Sequence, residues 1–138
     1  MIKNKLSITN QLELAREEEV ITKRKALELF DQEIIYEFEV GTIKGLQQIH
    51  QYLFEDIYFF AGKIRDTNIS KGNFRFATTI YLKEILPKID LMPKNNFDQI
   101  IEKYIEMNIA HLFRKGNGRS MRIWLDQIIK RNIKMVID

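Results

Sequence analysis

The spacing of apolar residues predicts a chain built mainly of helices. In two segments apolar side chains recur three and four positions apart, which places them on one face of a helix. The first stripe predicts a helix that begins after Gly41 and ends by Gly62, and the second predicts a helix from about Gly118 or Arg119 to Arg131. The stripes consist of Ile43, Leu46, Ile49, Leu53 and Ile57, and of Met121, Trp124, Leu125, Ile128 and Ile129.

Three further helices are expected from weaker signals. Residues 10–30 are rich in good helix formers, and Thr9 or Asn10 is suited to cap their start. Their dense charge and weak apolar stripe predict an outer, mostly exposed helix. The other two helices are predicted from about Thr79 to Ile89, ending before Pro93, and from about Phe97 to Ala110. The residues expected on one side of the latter are Phe97, Ile101, Tyr104, Ile105 and Asn108.

Residues 64–76 are predicted to form a short β-hairpin. The predicted strands, 64–69 and 73–76, flank Ser70, Lys71 and Gly72, which form the predicted turn. A lone two-stranded hairpin is only marginally stable, so this one is expected to lean on the helices. The predicted fold class is therefore all-α, a helical bundle with a β-hairpin, in a single domain over residues 1–138.

The composition is that of a globular protein and excludes several kinds of site. The chain has 138 residues, of which 45% are hydrophobic and 30% charged, enough for one real core. It has no cysteine, so disulfides and thiolate chemistry are excluded. Without a signal-like or membrane-spanning apolar run, a cytoplasmic location and no membrane partner are predicted. The net charge of +3 is dispersed among acidic residues, so no nucleic-acid partner is expected.

The segment before the last helix has the features of an anion site. Four basic residues surround Gly116-Asn117-Gly118, and this glycine-rich turn leads directly into the helix. A helix N-terminus offers free backbone N–H groups and a positive dipole end, and glycine lets a phosphate approach closely. Arg119 and Arg122 lie at the helix end that disfavours cations, which indicates an anionic partner. The four basic residues are Arg114, Lys115, Arg119 and Arg122.

His111 lies five positions before Gly116. Imidazole is suited to accept a proton near neutral pH. A base beside a phosphate site indicates a reaction at a phosphoryl group, with a hydroxyl as the nucleophile. His50, in contrast, lies on the apolar face of its helix and is interpreted as a structural histidine.

Residues 111–122 resemble the motif of the Fic family, His-x-Phe-x-[Asp/Glu]-Gly-Asn-Gly-Arg-x-x-Arg. They read His-Leu-Phe-Arg-Lys-Gly-Asn-Gly-Arg-Ser-Met-Arg and match every fixed position but one. Residues 48–58 and 61–65 resemble the family's upstream helix, and residues 68–76 resemble the flap over its active-site loop. Members of the family mostly transfer AMP from ATP to a hydroxyl of a target protein. The resemblance therefore implies a Fic-type helical bundle that acts as a protein adenylyltransferase with ATP as substrate.

The resemblance also implies a role for each matching residue. His111 would deprotonate the target hydroxyl, and Arg119 and Arg122 would stabilise the leaving pyrophosphate. Phe113 would anchor the loop in the core. The implied nucleotide-binding residues are Lys71, Asn108, Arg114, Lys115, Gly116, Asn117, Gly118, Arg119 and Ser120. The flap residues expected to hold the target as an added strand are Ile69, Ser70, Lys71 and Gly72.

Lys115 is the residue that departs from the family pattern. The acidic residue at this position normally holds Mg²⁺, and a charged lysine cannot replace it as a ligand. Three interpretations stay open. Lys115 neutralises the phosphates itself, the protein uses another phosphate-containing substrate, or the protein binds a nucleotide or a partner without transferring anything.

The inhibitory helix of the family has no match in the sequence. Its pattern is [Ser/Thr]-x-x-x-Glu-[Gly/Asn], and its glutamate pairs with the second arginine of the motif. Residues 9–14 come closest and fail at the last position. Apolar residues between 133 and 137 suggest that the family's C-terminal helices are missing. The inhibitor is therefore expected to be a separate, antitoxin-like protein or a missing C-terminal segment.

Overall fold

The computed structural model of the protein describes residues 2–132, without the side chains of Lys71 and Phe74. Within these residues the chain forms five α-helices, a short 3₁₀ helix at Ile34–Glu37 and one small hairpin. The predicted all-α architecture with a hairpin is confirmed. The elements are α1 (Gln11–Asp31), α2 (Ile43–Phe54), β1 (Ser70–Lys71), β2 (Phe74–Arg75), α3 (Thr79–Leu91), α4 (Phe97–Ala110) and α5 (Asn117–Asn132).

Polar side chains fix the start of the first four helices. In each case the capping side chain accepts a hydrogen bond from the backbone N–H three residues later. The cap of α1 is Asn10, one of the two residues predicted for it. The other caps are Thr42, Thr78 and Asn96. Helix α2 was predicted to end no later than Gly62, and in the structure it ends at Phe54.

The core lies where α2 and α5 meet, with α1 packed on α2 and α4 packed on α5. Trp124 of α5 is fully buried, and its Nε1–H donates to the Thr42 carbonyl at the start of α2, at 3.0 Å. Leu46 and Ile49 of α2 and Ile128 of α5 are also fully buried. The two apolar stripes that predicted these helices therefore form one core.

The buried face of α4 differs from the predicted one. Phe97 and Ile105 are 53% and 47% exposed, and Asn108 is exposed as well. The face that packs inward consists of Ile100, Lys103, Met107 and Ala110. Lys103 hides this face in the sequence pattern, because a lysine is not expected in a core. In the structure its charge is compensated by backbone carbonyls at the C-terminal end of α3. Its Nζ donates to the carbonyls of Asp90 and Met92, both at 3.0 Å.

The turn of the hairpin begins two residues later and ends one residue later than predicted. Ser70 pairs with Arg75 and Lys71 pairs with Phe74, so the turn is formed by residues 72 and 73. Gly72 has a φ of +62°, in the left-handed region that a two-residue hairpin turn requires. Ser70 and Lys71 thus belong to a strand, and Gly72 alone of the predicted turn residues lies in the turn.

No helix within residues 2–132 is both long enough and apolar enough to cross a membrane. The apolar residues between 133 and 137 lie outside the described residues. The prediction about missing C-terminal helices therefore stays a prediction.

Candidate active site

His111 lies in a turn directly after α4. It caps that helix with φ 53° and ψ 71°, a left-handed conformation that is uncommon for a residue with a side chain. Its backbone N–H donates to the Met107 carbonyl at 3.2 Å. Phe76, which follows β2, stacks on the His111 ring with the ring centroids 3.7 Å apart. The fold thus brings the proposed base against the hairpin.

The loop between His111 and α5 is closed by Asn117. The Asn117 side chain accepts a hydrogen bond from the Phe113 N–H at 2.9 Å and donates one to the Phe113 carbonyl at 2.6 Å. Asn117 is only 5% exposed, and Phe113 is fully buried. The Asn117 side chain therefore holds the loop, and its implied contact with a phosphate stays a prediction.

His50 supports the same loop from the core. Its ring stacks on Phe113 with the centroids 3.7 Å apart, and its Nε2 lies 2.8 Å from the Lys115 carbonyl. The Gly62 N–H donates to Nδ1 at 2.9 Å, so the hydrogen is on Nε2 and Nε2 donates to Lys115. Burial lowers the pKa of His50 to about 4, which keeps the ring neutral. The structural interpretation of His50 is confirmed.

Two glycines of the loop occupy opposite environments. Gly116 has a φ of +85°, and a Cβ there would lie 2.4 Å from Cζ of Phe54, so the fold itself requires glycine. Gly118 lies in the first turn of α5, and a Cβ there would meet nothing within 4 Å. Glycine in a helix costs about 0.5–1 kcal/mol relative to alanine. The packing of the described residues does not explain why position 118 holds a glycine.

Lys115 and Arg119 share a buried carboxylate, Glu18 of α1. The Nζ of Lys115 lies 3.0 Å from Oε2 of Glu18, and Nη1 of Arg119 lies 3.3 Å from Oε1. Glu18 is 6% exposed, so its charge needs these partners. Glu18 was not predicted as a site residue, because α1 was interpreted only as an outer, mostly exposed helix. One signal was available, because Glu18 continues the row of Leu14 and Ile21.

Polar groups beside Glu18 complete this cluster. Nη1 of Arg119 donates to Oγ1 of Thr22 at 2.8 Å, and the Tyr58 hydroxyl donates to Oε2 of Glu18. Nζ of Lys115 donates to the Tyr58 hydroxyl at 3.2 Å. Burial and the hydrogen bond to Glu18 raise the pKa of Tyr58, which therefore stays a neutral donor. These five side chains tie α1 to the loop and to the start of α5.

The remaining predicted site residues divide into exposed and buried ones. The side chains of Asn108, Arg114 and Arg122 are exposed and form no hydrogen bond or ion pair within residues 2–132. Ser120 was expected to line the site, but it is fully buried and its hydroxyl has no partner among the described residues. The physical reason is that Ser120 lies one turn before Trp124, on the core face of α5. Lys71 lies in β1.

The residues around Lys115 do not fit a bound Mg²⁺. Among residues 2–132, no group of three or more histidine or acidic side chains is placed to hold a metal. Glu18 is the carboxylate next to Lys115, and both of its oxygens already contact cations. A further cation at Glu18 would have to displace Lys115 and Arg119.

A groove of about 940 Å³ lies apart from this cluster, between α2 and α3. None of the residues predicted to bind the nucleotide lines it. Ile43 and Thr79, the first residues of α2 and α3, line this groove, but no histidine does. We therefore assign the site by its chemical groups and not by the size of a cavity.

Three relatives found by comparison with known proteins are named protein adenylyltransferases or probable protein adenylyltransferases. The protein adenylyltransferase VbhT of Bartonella schoenbuchensis is 32% identical over an alignment of 138 positions, which covers 92% of this chain and 28% of VbhT. The probable protein adenylyltransferase Fic of Escherichia coli is 27% identical, over 93% of this chain and 67% of that protein. The probable protein adenylyltransferase Fic of Salmonella typhimurium is 29% identical, over 62% of this chain. The chain thus spans 28% of VbhT and 50% of the Salmonella protein.

Solved structures of Fic domains share the fold. BepC of Bartonella tribocorum with bound AMPPNP has a TM-score of 0.74 at 20% identity, over 94% of this chain and 73% of that chain. An N-terminal Fic domain of Bartonella quintana with bound ADP also has a TM-score of 0.74, at 23% identity over 94% of this chain and 72% of that chain. Residues 41–129, more than half of the sequence, match the Fic/DOC family. The chain therefore belongs to the Fic/DOC family.

Proposed function

We propose that this chain transfers AMP from ATP to a hydroxyl side chain of a target protein. The observation that carries the proposal is the open backbone at Gly118, in the first turn of α5 and directly before the two arginines of the motif. The names of the relatives, which are protein adenylyltransferases, support the reaction. The AMPPNP and ADP bound to two structural neighbours support the choice of nucleotide.

In this proposal the phosphates of ATP lie against the N-terminus of α5. The first N–H groups of a helix have no partner within it, and its positive dipole end attracts anions. Arg114 and Arg122 are exposed, so both are accessible to the nucleotide. Lys115 and Arg119 are paired with Glu18, so a phosphate shares or replaces that carboxylate.

The proposed reaction is a displacement at the α-phosphorus. The target hydroxyl oxygen attacks this phosphorus while the bond to the oxygen that bridges the α- and β-phosphates breaks. His111 accepts the hydroxyl proton, and pyrophosphate leaves. Arg119 and Arg122 stabilise the negative charge that develops on the pyrophosphate. Because the residues around Lys115 do not fit Mg²⁺, no step of this scheme depends on a metal.

The hairpin supplies the proposed contact with the target. It has two strands, and β1 pairs with β2 along one edge. The other edge of β1 accepts an extended target segment by strand addition, at Ile69, Ser70, Lys71 and Gly72. The stack of Phe76, which follows β2, on the His111 ring supports a target contact near the proposed base.

The test uses ATP labelled at either the α- or the γ-phosphate, incubated with the protein and a cell lysate. AMP transfer leaves the α label on protein and releases the γ label with pyrophosphate. The His111→Ala variant, a matched control, is expected to transfer neither label. Absence of protein-bound α label in all reactions with the unsubstituted chain would sink the proposal.

The second proposed function is binding of a nucleotide or a partner without transfer. The ion pair between Lys115 and Glu18 favours this second function. The pair engages a carboxylate that could otherwise bind a metal, and it engages one of the basic side chains of the site. Calorimetric titration with ATP, with and without Mg²⁺, distinguishes the two functions when combined with the label assay. Binding without label transfer supports the second function, and efficient transfer removes it.

A separate inhibitory protein also belongs to this proposal. Glu18 pairs with Arg119, the first arginine of the motif, and not with Arg122, the second one. Arg122 is exposed and has no ion pair within the described part of the chain, so it is open to a glutamate of another protein. The cytoplasmic location stays a prediction.

A further inference from the structure

Arg65 lies in the segment between α2 and the hairpin and is a buried arginine without a carboxylate partner. It is 6% exposed, and burial lowers the pKa of its guanidinium. No acidic side chain among residues 2–132 forms a salt bridge with it. Burial of a charged group is costly unless hydrogen bonds compensate it. The surroundings of Arg65 therefore have to supply that compensation.

The compensation comes from four backbone carbonyls. Nε donates to His111 at 2.6 Å, and Nη2 donates to Ala110 at 3.0 Å. Nη1 donates to Thr67 at 2.8 Å, and Nη2 also donates to Ala77. Thr67 precedes β1 and Ala77 follows β2, so one guanidinium joins both stems of the hairpin to the end of α4.

The chemistry of these acceptors explains why the position holds arginine. The carbonyls of Ala110 and His111 lie at the C-terminal end of α4, where a cation is favoured. A planar guanidinium donates in several fixed directions at once, whereas the three donors of a lysine radiate from one atom. The backbone N–H of Arg65 adds a bond to the Leu112 carbonyl at 2.9 Å. Arg65 is thus bonded to three consecutive residues of the turn.

The turn held in this way is strained. His111 has a positive φ of 53°, and such a conformation costs about 1–3 kcal/mol unless its surroundings fix it. Arg65 binds the carbonyl of His111, and Phe76 stacks on its ring at an interplanar angle of 14°. Phe76 is itself held to the hairpin by its N–H bond to the Ile69 carbonyl at 3.2 Å.

We propose that Arg65 is a positioning residue that fixes the hairpin and His111 relative to each other. This inference rests on the proposed function, in which the hairpin holds the target and His111 accepts its proton. Arg65 acts through these two elements and contacts neither the nucleotide nor the target. A target segment added to β1 then has its hydroxyl in register with His111.

The first experiment compares Arg65→Lys with Arg24→Lys by proton NMR. The chain has two histidines, so the imidazole resonances report separately on His111 and His50. The ring current of Phe76 shifts those of His111, and we expect Arg65→Lys to move them toward the positions of free histidine. His50 is expected to stay unchanged, and Arg24→Lys, exposed on α1, to change neither. Unchanged His111 resonances in a folded Arg65→Lys protein would overturn the proposal.

Hydrogen exchange of the unsubstituted protein does not depend on any variant folding. If one unit contains the hairpin stems and the turn, the N–H groups of Arg65, Phe76 and His111 exchange through one opening event. Their protection factors then agree within about tenfold. A Phe76 N–H that exchanges more than about a hundredfold faster than that of Arg65 contradicts a common unit.

Transfer kinetics separate positioning from general support of the fold. We expect Arg65→Lys to lower kcat by at least about tenfold, because a misplaced base loses its alignment. The KM for ATP is expected to stay unchanged, since the proposed phosphate contacts lie on α5 and its preceding loop. A higher KM with unchanged kcat contradicts the proposal. If the unsubstituted chain transfers no AMP, the proposed function fails, while NMR and exchange still decide whether Arg65 couples the two elements.

Discussion

At the scale of single residues, Gly118 offers the sharpest test of the phosphate site. We expect Gly118→Ala to raise the free energy of unfolding by about 0.5–1 kcal/mol, because a helical glycine in open space is replaced by a better helix former. The same methyl group occupies the space of the phosphates, so the affinity for ATP is expected to fall at least about tenfold. Urea unfolding and calorimetric titration measure the two effects.

Gly116→Ala is the matched control for this variant. Its Cβ would overlap the Phe54 ring, and its positive φ disfavours alanine, so the protein is expected to lose about 2–3 kcal/mol of stability. Opposite signs of the two stability changes support the distinction between a glycine that the fold requires and one that a ligand requires. A Gly118→Ala protein with unchanged ATP affinity contradicts a phosphate at α5.

His50 makes stability depend on pH in a defined range. Its pKa is about 4 in the folded protein and about 6.5 in the unfolded chain, so the unfolded chain binds more protons between these values. Its contribution is complete above pH 6.5 and is lost as the pH falls toward 4, by about 3 kcal/mol at most. Urea unfolding across this range is expected to show a steeper fall for the unsubstituted chain than for His50→Gln. Parallel curves contradict the buried, neutral ring.

At the scale of elements, α1 does more than cover the core. Its bounds and its cap were predicted from helix formers and from Asn10, and most of its residues are exposed as expected. Its connection to the loop was not predictable from a local pattern, because Glu18 and Arg119 are 101 positions apart. The helix therefore supplies the carboxylate that neutralises two basic residues of the site.

A double-mutant cycle measures this connection. We expect Glu18→Gln and Lys115→Met to show a coupling free energy of about 1 kcal/mol, because one partner is buried and the other half-exposed. The matched control is the exposed pair of Glu19 and Lys23 on the same helix, whose coupling is expected to be smaller because solvent screens both charges. Equal couplings in the two cycles contradict a structural ion pair between α1 and the loop.

At the scale of the whole molecule, the sequence predicts the helices and the loop better than their contacts. The bounds of α4 agree with the prediction, since its cap and its end carry local signals. Its buried face was predicted wrongly because Lys103 lies inward, where only the distant carbonyls of α3 make it stable. The role proposed for Arg65 was not predicted from the sequence for a related reason. Its hydrogen-bond acceptors are backbone atoms, which carry no signal in the sequence.

The site residues also divide into those that the sequence marks and those whose exposure only the fold determines. His111, Gly116 and Gly118 stand out in the sequence because their chemistry and spacing are visible along the chain. The burial of Ser120 could not be predicted, because the motif does not show which face of α5 packs into the core. Its role in nucleotide binding stays a prediction. A motif thus indicates the reacting groups, and the fold decides which of them a ligand reaches.

The central claim is that His111 directs AMP onto a target hydroxyl, and mass spectrometry of the modified proteins tests it most directly. After incubation with ATP and a lysate, the unsubstituted chain is expected to leave one AMP, in phosphodiester linkage, on serine, threonine or tyrosine side chains. The His111→Ala protein, shown to be folded by circular dichroism, is expected to leave none. No AMP adduct with the unsubstituted chain, or an equal yield with His111→Ala, would contradict the account.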